Sequence, residues 1–363
     1  MRACSSFFVC PDTILPACDE LYYTHTPLSL SVCRLRMNNY RFWTLWLNLL
    51  LCATVVVAQT DAPLNHYFTA MTAYNPAAVG MQSEIKATAL YRLQWVGLDE
   101  GAPKSIFVAA DMPYRFRETQ NGVGIILFND DKSTLYKDMY AAAQLAHKRR
   151  LGKGTLSIGL QVGMVNSTYQ GSKARPVPEG ADGSADHASE DDAIPKEDLT
   201  AKGLDLAAGV MYSTDRYYIG LASTHLTAPT LQLNDNFGRK VMREYNLMAG
   251  YNIALRNPLV ELRPSLLVRS DLHMSVGDVT LRAIYKKMFN GGLGVRVTDS
   301  GTTNGILYLG ADIAGFRVSY AYEYPFSALS RTTFGSHEAV VTYRLQLNLP
   351  KGGRNRHKSI RIL

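Results

Sequence analysis

The stretch Ser336-His337-Glu338-Ala339-Val340-Val341-Thr342-Tyr343-Arg344-Leu345-Gln346-Leu347 decides the fold. In an extended chain, successive side chains face opposite ways. His337, Ala339, Val341, Tyr343, Leu345 and Leu347 then share one face, while Glu338, Val340, Thr342, Arg344 and Gln346 share the other. One face is mostly greasy, and the other accepts ions. The same period-two reading holds upstream. Phe316, Val318, Tyr320, Tyr322 and Tyr324 oppose Arg317, Ser319, Ala321 and Glu323. Leu156, Ile158, Leu160, Val162 and Met164 oppose Thr155, Ser157, Gly159, Gln161 and Gly163, and Ala87, Ala89, Tyr91, Leu93 and Trp95 oppose Lys86, Thr88, Arg92 and Gln94.

Alternation alone also describes a soluble β-sandwich. Three features point instead to an all-β transmembrane antiparallel barrel over 84–347. Arg269, Arg282, Arg296 and Arg317 fall mid-strand on the polar face. A polar lumen accepts them, whereas on a lipid face each costs roughly 2–4 kcal/mol at mid-depth. Tyr212, Tyr217, Tyr218, Tyr322 and Tyr324 gather near strand ends, as an interfacial girdle requires. Connections also alternate in length. The pattern predicts about fourteen strands, the first over 84–96 and the last over 335–347. Long connections, such as 167–202, 226–240 and 325–334, follow odd strands. Short ones, such as Thr214-Asp215-Arg216, follow even strands. Short periplasmic turns and long outer loops are the outer-membrane asymmetry, and an even count leaves both mature termini periplasmic.

The N-terminal region reads as a secretory signal over 37–58. Met37-Asn38-Asn39-Tyr40-Arg41 is a short positive start, Phe42 to Leu51 is apolar, and Val56-Val57-Ala58 precedes a cut at Gln59. A single-pass anchor would call for a positive cluster after Ala58, and a lipobox for a residue smaller than Leu51 before Cys52. Residues 1–36 read as an upstream extension, 59–83 as an N-terminal periplasmic segment and 348–363 as a basic tail. Cys4, Cys10, Cys18, Cys33 and Cys52 all precede Gln59, so the mature chain has neither a disulfide framework nor thiolate metal ligands.

Net charge is +7, with charged residues only 19% of the chain and mean hydropathy near neutral at −0.09. The positive excess is spread out, and nucleic acid binding would need a concentrated basic face. Ser336-His337-Glu338 resembles acid–base material, but strand neighbours face opposite sides. His225 and His273 lack a second ligand at metal spacing. Gly291-Gly292-Leu293-Gly294 has no helix after it to cradle phosphate. The reading is therefore of a protein without catalysis, metal or cofactor. The connection 171–202, rich in Pro, Gly and acids, lacks the apolar content to fold alone and reads as a solvated loop, with contact to a partner outside the cell as the alternative.

The region around the first strand is more distinctive. It carries His66-Tyr67-Phe68, Tyr74-Asn75-Pro76-Ala77-Ala78-Val79-Gly80, Tyr91-Arg92-Leu93-Gln94-Trp95-Val96-Gly97 and Gly101-Ala102-Pro103-Lys104. Asn121-Gly122-Val123-Gly124 before Phe128-Asn129-Asp130, and Ser336-His337-Glu338 leading to Tyr343-Arg344, follow in order. Over about 59–347 this resembles the PorP/SprF family of type IX secretion system membrane proteins. The resemblance implies an outer-membrane barrel serving protein secretion or linked gliding. Its partners would be outer-membrane lipids and other secretion components, including a periplasmic peptidoglycan-linked lipoprotein adaptor or a surface adhesin. It singles out Asn75, Pro76, Gly80, Tyr91, Arg92, Gln94, Trp95 and Gly97 as structural or partner-contact positions. Asn75-Pro76 supplies a fixed turn before the barrel. Tyr91 and Trp95 are expected outward, and Arg92 and Gln94 into the lumen. The rival reading is a transporter or porin for small hydrophobic molecules.

Overall fold

The computed structural model describes residues 62–347 apart from 83, 99–100, 117–118, 174–194 and 235–236. The expected extension, the signal 37–58 and the tail 348–363 lie outside the described residues.

Each alternating segment forms a strand, and neighbouring strands pair antiparallel in chain order. The first seven are β1 (Glu84–Leu93), β2 (Lys104–Phe116), β3 (Thr119–Asp131), β4 (Tyr136–Leu151), β5 (Gly154–Gln170), β6 (Asp198–Ser213) and β7 (Tyr217–Thr224). After a small hairpin, β8 (Thr230–Asn234) and β9 (Phe237–Lys240), come β10 (Glu244–Tyr251) and β11 (Ile253–Ala254). The last six are β12 (Val260–Ser270), β13 (Ser275–Tyr285), β14 (Phe289–Thr298), β15 (Thr303–Ile313), β16 (Phe316–Pro325) and β17 (Ser336–Gln346). Because β10 and β11 pair with β12 in one unbroken register, they count as one strand interrupted at Asn252. The result is a closed antiparallel barrel of 14 strands. Closure is made by β1 against β17, from Glu84 opposite Gln346 to Leu93 opposite His337. A closed sheet leaves no unpaired edge, which is what allows a β structure to sit in hydrocarbon.

The faces divide as the alternation predicts. In β17, Glu338 and Val340 are 0% and 1% exposed, whereas Val341 and Leu345 are 42% and 47% exposed. Ile158, Leu160, Val162 and Met164 of β5 also face outward. Outward aromatics ring both ends. Phe116, Tyr217, Tyr251, Tyr285, Phe289 and Phe316 sit near the rim of Glu84, and Tyr91, Tyr245, Tyr324, Phe326 and Phe334 toward the other. The connections at the Glu84 rim are short turns such as 152–153, 214–216 and 314–315; those at the opposite rim include 94–103, 171–197, 225–243 and 326–335.

Two expectations are corrected. The connection after β7, read as a loop over 226–240, holds the β8–β9 hairpin, which folds back onto the inner face of β4–β6. Leu231 and Leu233 are buried with Val165, Tyr169 and Ala201, and Arg239 reaches Asp138 at 2.7 Å. Burying those apolar side chains outweighs leaving the segment in solvent. The second correction is larger. Residues 62–82, expected to lie in the periplasm, run inside the barrel as a plug. It contains a short helix, α1 (Met71–Tyr74), and a 3-10 turn at Pro76–Ala78. Leu64, Tyr67, Ala70, Tyr74 and Ala77 form one apolar cluster with Leu90, Phe107, Ile126 and Met248 of the wall. A barrel this wide needs occupants for its interior, and this segment supplies them.

Candidate functional site

The plug meets two different walls. On the β3–β7 side it approaches backbone to backbone. Pro76 opens the 3-10 turn, where its missing N–H is no loss. Asn75 caps that turn, its Oδ1 accepting from the Ala77 amide at 2.8 Å. Its Nδ2 donates to the carbonyls of Val210 and Leu221 at 3.3 and 3.4 Å. The Ser157 hydroxyl donates to the Ala77 carbonyl at 2.7 Å. This closeness depends on missing side chains. A Cβ on Gly159 would stand 2.2 Å from the Ala77 nitrogen, and one on Gly209 2.2 Å from Asn75 Oδ1. The plug then turns at Gly80, whose φ of +59° suits glycine. The Gly80 amide donates to Asp111 Oδ2 at 2.9 Å, and its carbonyl accepts from Lys148.

On the β12–β17 and β1 side, long side chains reach inward to grip the plug. Glu338 accepts from the amides of Asn65 and His66 and from His66 Nδ1, each at 2.7 Å. Its Oε2 also lies 3.4 Å from Arg92, whose other nitrogen donates to Glu323 at 2.7 Å. Arg296 joins Asp278 at 2.6 Å and Glu323 at 3.1 Å, and donates to the Leu64 carbonyl at 3.3 Å. Asn304 adds a donor to Glu323 at 2.6 Å. Three carboxylates thus face two guanidiniums, and Asn304 together with the plug's own amides and imidazole supplies the remaining donors. Such buried charges are strongly desolvated and persist only when paired and hydrogen-bonded. Tyr67 bonds Ser265 at 2.9 Å and Thr280 at 3.1 Å, Tyr308 donates to the Asn65 carbonyl at 3.2 Å, and the Arg282 guanidinium lies 3.4 Å over the Phe68 ring.

Chemically, this arrangement can hold and seal. Among the described residues no group of His, Cys, Asp or Glu is placed to hold a metal ion. Two spaces beside the plug have volumes of about 40 and about 60 Å³. Since one water needs roughly 10–15 Å³ by that measure, each holds a few waters. Leu64, Tyr74, Phe107, Ile126 and Phe128 line the first, together with His225 and Glu244.

The motif positions separate into two groups. Asn75, Pro76 and Gly80 form the seated part of the plug, and Arg92 joins the charged clamp. Tyr91 faces outward. β1 ends at Leu93, so the alternation expected to continue through Trp95 stops there. Trp95 adopts a φ of 49°, and its amide donates to Ser336 Oγ at 3.2 Å. The Gln94 amide bonds the Pro103 carbonyl at 3.0 Å, and the Val96 and Phe334 backbones bond each other's loops at 2.8 and 2.6 Å. Gly97, with φ +98°, packs against the Phe334 ring. Gln94, Trp95 and Gly97 therefore shape the long-connection rim. Sequence reading missed His66, Tyr67, Asp278, Glu323 and Glu338 as one cluster. The available signal was inward carboxylates on strands that also carry inward arginines.

A family model described as type IX secretion system membrane protein PorP/SprF matches residues 56–343. No curated protein matches. Among solved structures, the chain is similar to the Ralstonia pickettii toluene transporter TbuX, at 12% identity and TM-score 0.45, covering 77% of this chain and 94% of that one. It is likewise similar to the Pseudomonas putida toluene transporter TodX, at 9% identity and TM-score 0.44, covering 79% and 95%.

Proposed function

The chain belongs to the PorP/SprF family of type IX secretion system membrane proteins, and from that premise we propose that it is an occluded outer-membrane anchor for the secretion or gliding machinery. Its task is to hold a periplasmic peptidoglycan-linked adaptor or a surface adhesin, not to conduct solutes. The observation that carries this reading is the plug: residues 62–82 fill the lumen and are fixed to both walls. With the interior filled, the surfaces left for partners are the two rims. The long connections face outward and both mature termini lie in the periplasm, following the usual asymmetry of turns and loops. Gln94, Trp95 and Gly97, at the rim of the long connections and bonded to the Pro103 and Phe334–Ser336 segments, are the motif positions we assign to partner contact.

The transporter reading draws on the apolar space beside Tyr74, Phe107 and Phe128. Planar-bilayer recording separates the two. The anchor predicts a silent barrel that co-purifies, from detergent-solubilised outer membrane, with a peptidoglycan-binding lipoprotein or a large adhesin. Stepwise conductance, or uptake of a small hydrophobic solute by the intact protein, would sink it.

A further inference from the structure

The two rims differ in charge as well as in connection length. At the rim of Glu84 and Gln346, the β4–β5 turn presents Arg149, Arg150 and Lys153, all exposed. Continuing round the barrel, the β6–β7 turn presents Arg216, the β11–β12 connection Arg256, and the β13–β14 turn Lys286 and Lys287. None of these seven is in an ion pair among the described residues, and Asp215 is the exposed acid among them. On the remaining arc the situation changes: Arg317 and Arg344 both pair with Asp312, at 2.6 and 3.1 Å. At the opposite rim, exposed cations are interleaved with Glu197, Asp198 and Asp299.

The position of the seven cations matters as much as their sign. Five of the seven adjoin an outward-facing apolar or aromatic residue: Arg150 before Leu151, Arg216 before Tyr217, Arg256 after Leu255, Lys286 after Tyr285 and Lys287 before Met288. Outward aromatics mark the level of lipid headgroups. Long basic side chains at that level lay their stems on the apolar surface and raise their charge into the headgroups. The cations also extend along a contiguous arc from β4 to β14, following the bilayer boundary, whereas a protein contact would concentrate them in one sector.

We propose that this arc is a cationic collar that binds the phosphate headgroups of anionic phospholipids in the leaflet it faces. The collar stands independently of any anchoring partner. Attraction of this kind is worth about fivefold per cation near the surface and weakens as salt shortens the screening length.

The test uses the full-length mature protein in nanodiscs of phosphatidylcholine and phosphatidylglycerol in equal amounts, with the lipids retained after delipidating washes identified by mass spectrometry. Wild type is expected to retain phosphatidylglycerol over phosphatidylcholine by about fivefold or more, and to lose that preference as salt is raised. The combined variant Arg149→Gln, Arg150→Gln, Lys286→Gln and Lys287→Gln is expected to retain both lipids equally. Lys104→Gln with Lys240→Gln at the opposite rim is expected to behave as wild type. Heat-modifiable gel mobility checks that each barrel is folded; if the collar variant does not assemble, the salt dependence of wild type decides alone. A retained lipid ratio equal to the bulk, or a preference that salt leaves unchanged, overturns the proposal. Salt-sensitive capture of soluble polyglutamate without any lipid preference also overturns it, assigning the collar to an acidic protein instead.

Discussion

The two walls that hold the plug do so by opposite means. The β3–β7 wall recedes: where a side chain would stand, Gly159 and Gly209 leave room for the backbone of Asn75–Ala77. The β12–β17 wall advances, sending Arg296 and Glu338 across to meet residues 64–66, with Glu323 bracing Arg296 from behind. The first wall works through shape and tolerates no added volume. The second works through charge and tolerates no missing partner. The plug is fixed in register by the glycine seat and tied down by the clamp. Of the two motif segments, Asn-Pro-Ala serves the seat through Asn75 and Tyr-Arg serves the clamp through Arg92.

The comparison can be broken from either side. The largest effect is expected from Glu338→Gln, which keeps the shape but removes the charge that faces His66 and Arg92, leaving Arg92 to Glu323 alone, and weakens the acceptor for two plug amides. Losing one member of a buried pair costs about 3–5 kcal/mol. The thermal midpoint of the heat-modifiable barrel should fall, and deuterium uptake should rise at residues 65–68 while 77–80 stay protected. Equal loosening of both segments would abolish the distinction between seat and clamp. Next comes Gly159→Ala. Its Cβ would meet the Ala77 nitrogen at 2.2 Å, and overpacking of this kind costs about 1–3 kcal/mol. Here exchange should rise first at 77–80; protection unchanged from wild type would show that the seat is not close-fitting. The smallest effect is Tyr67→Phe, which removes the hydroxyl shared with Ser265 and Thr280. A loss of about 1 kcal/mol is expected, read as a modest drop in midpoint with the barrel still silent in planar bilayers.

Much of the barrel was legible beforehand because its cause is local. A strand places alternate side chains on alternate faces whatever its partners, so Val341 and Leu345 against Glu338 and Val340 already indicate an outside and an inside. Turn chemistry between such segments gives the number of strands to a good approximation. The same local logic misled at 226–240 and 59–83. The plug residues 62–82 carry no sustained alternation, and that of Thr230–Asn234 covers only 5 residues, too few to cross a bilayer, so neither segment reads as part of the wall. Leu231 and Tyr67 nevertheless become fully buried, because the lumen offers them apolar and hydrogen-bonding company that only the assembled wall possesses.

By itself, then, the order of residues determined an antiparallel run of strands with a polar and an apolar face and the family motif, since each rests on contacts between chain neighbours or on a fixed spacing. The occupant of the interior was decided only in three dimensions. Asn65 and Glu338 stand 273 positions apart, and no periodicity links them. Alternation says that a side chain faces inward, and only closure of the barrel determines what waits there to meet it.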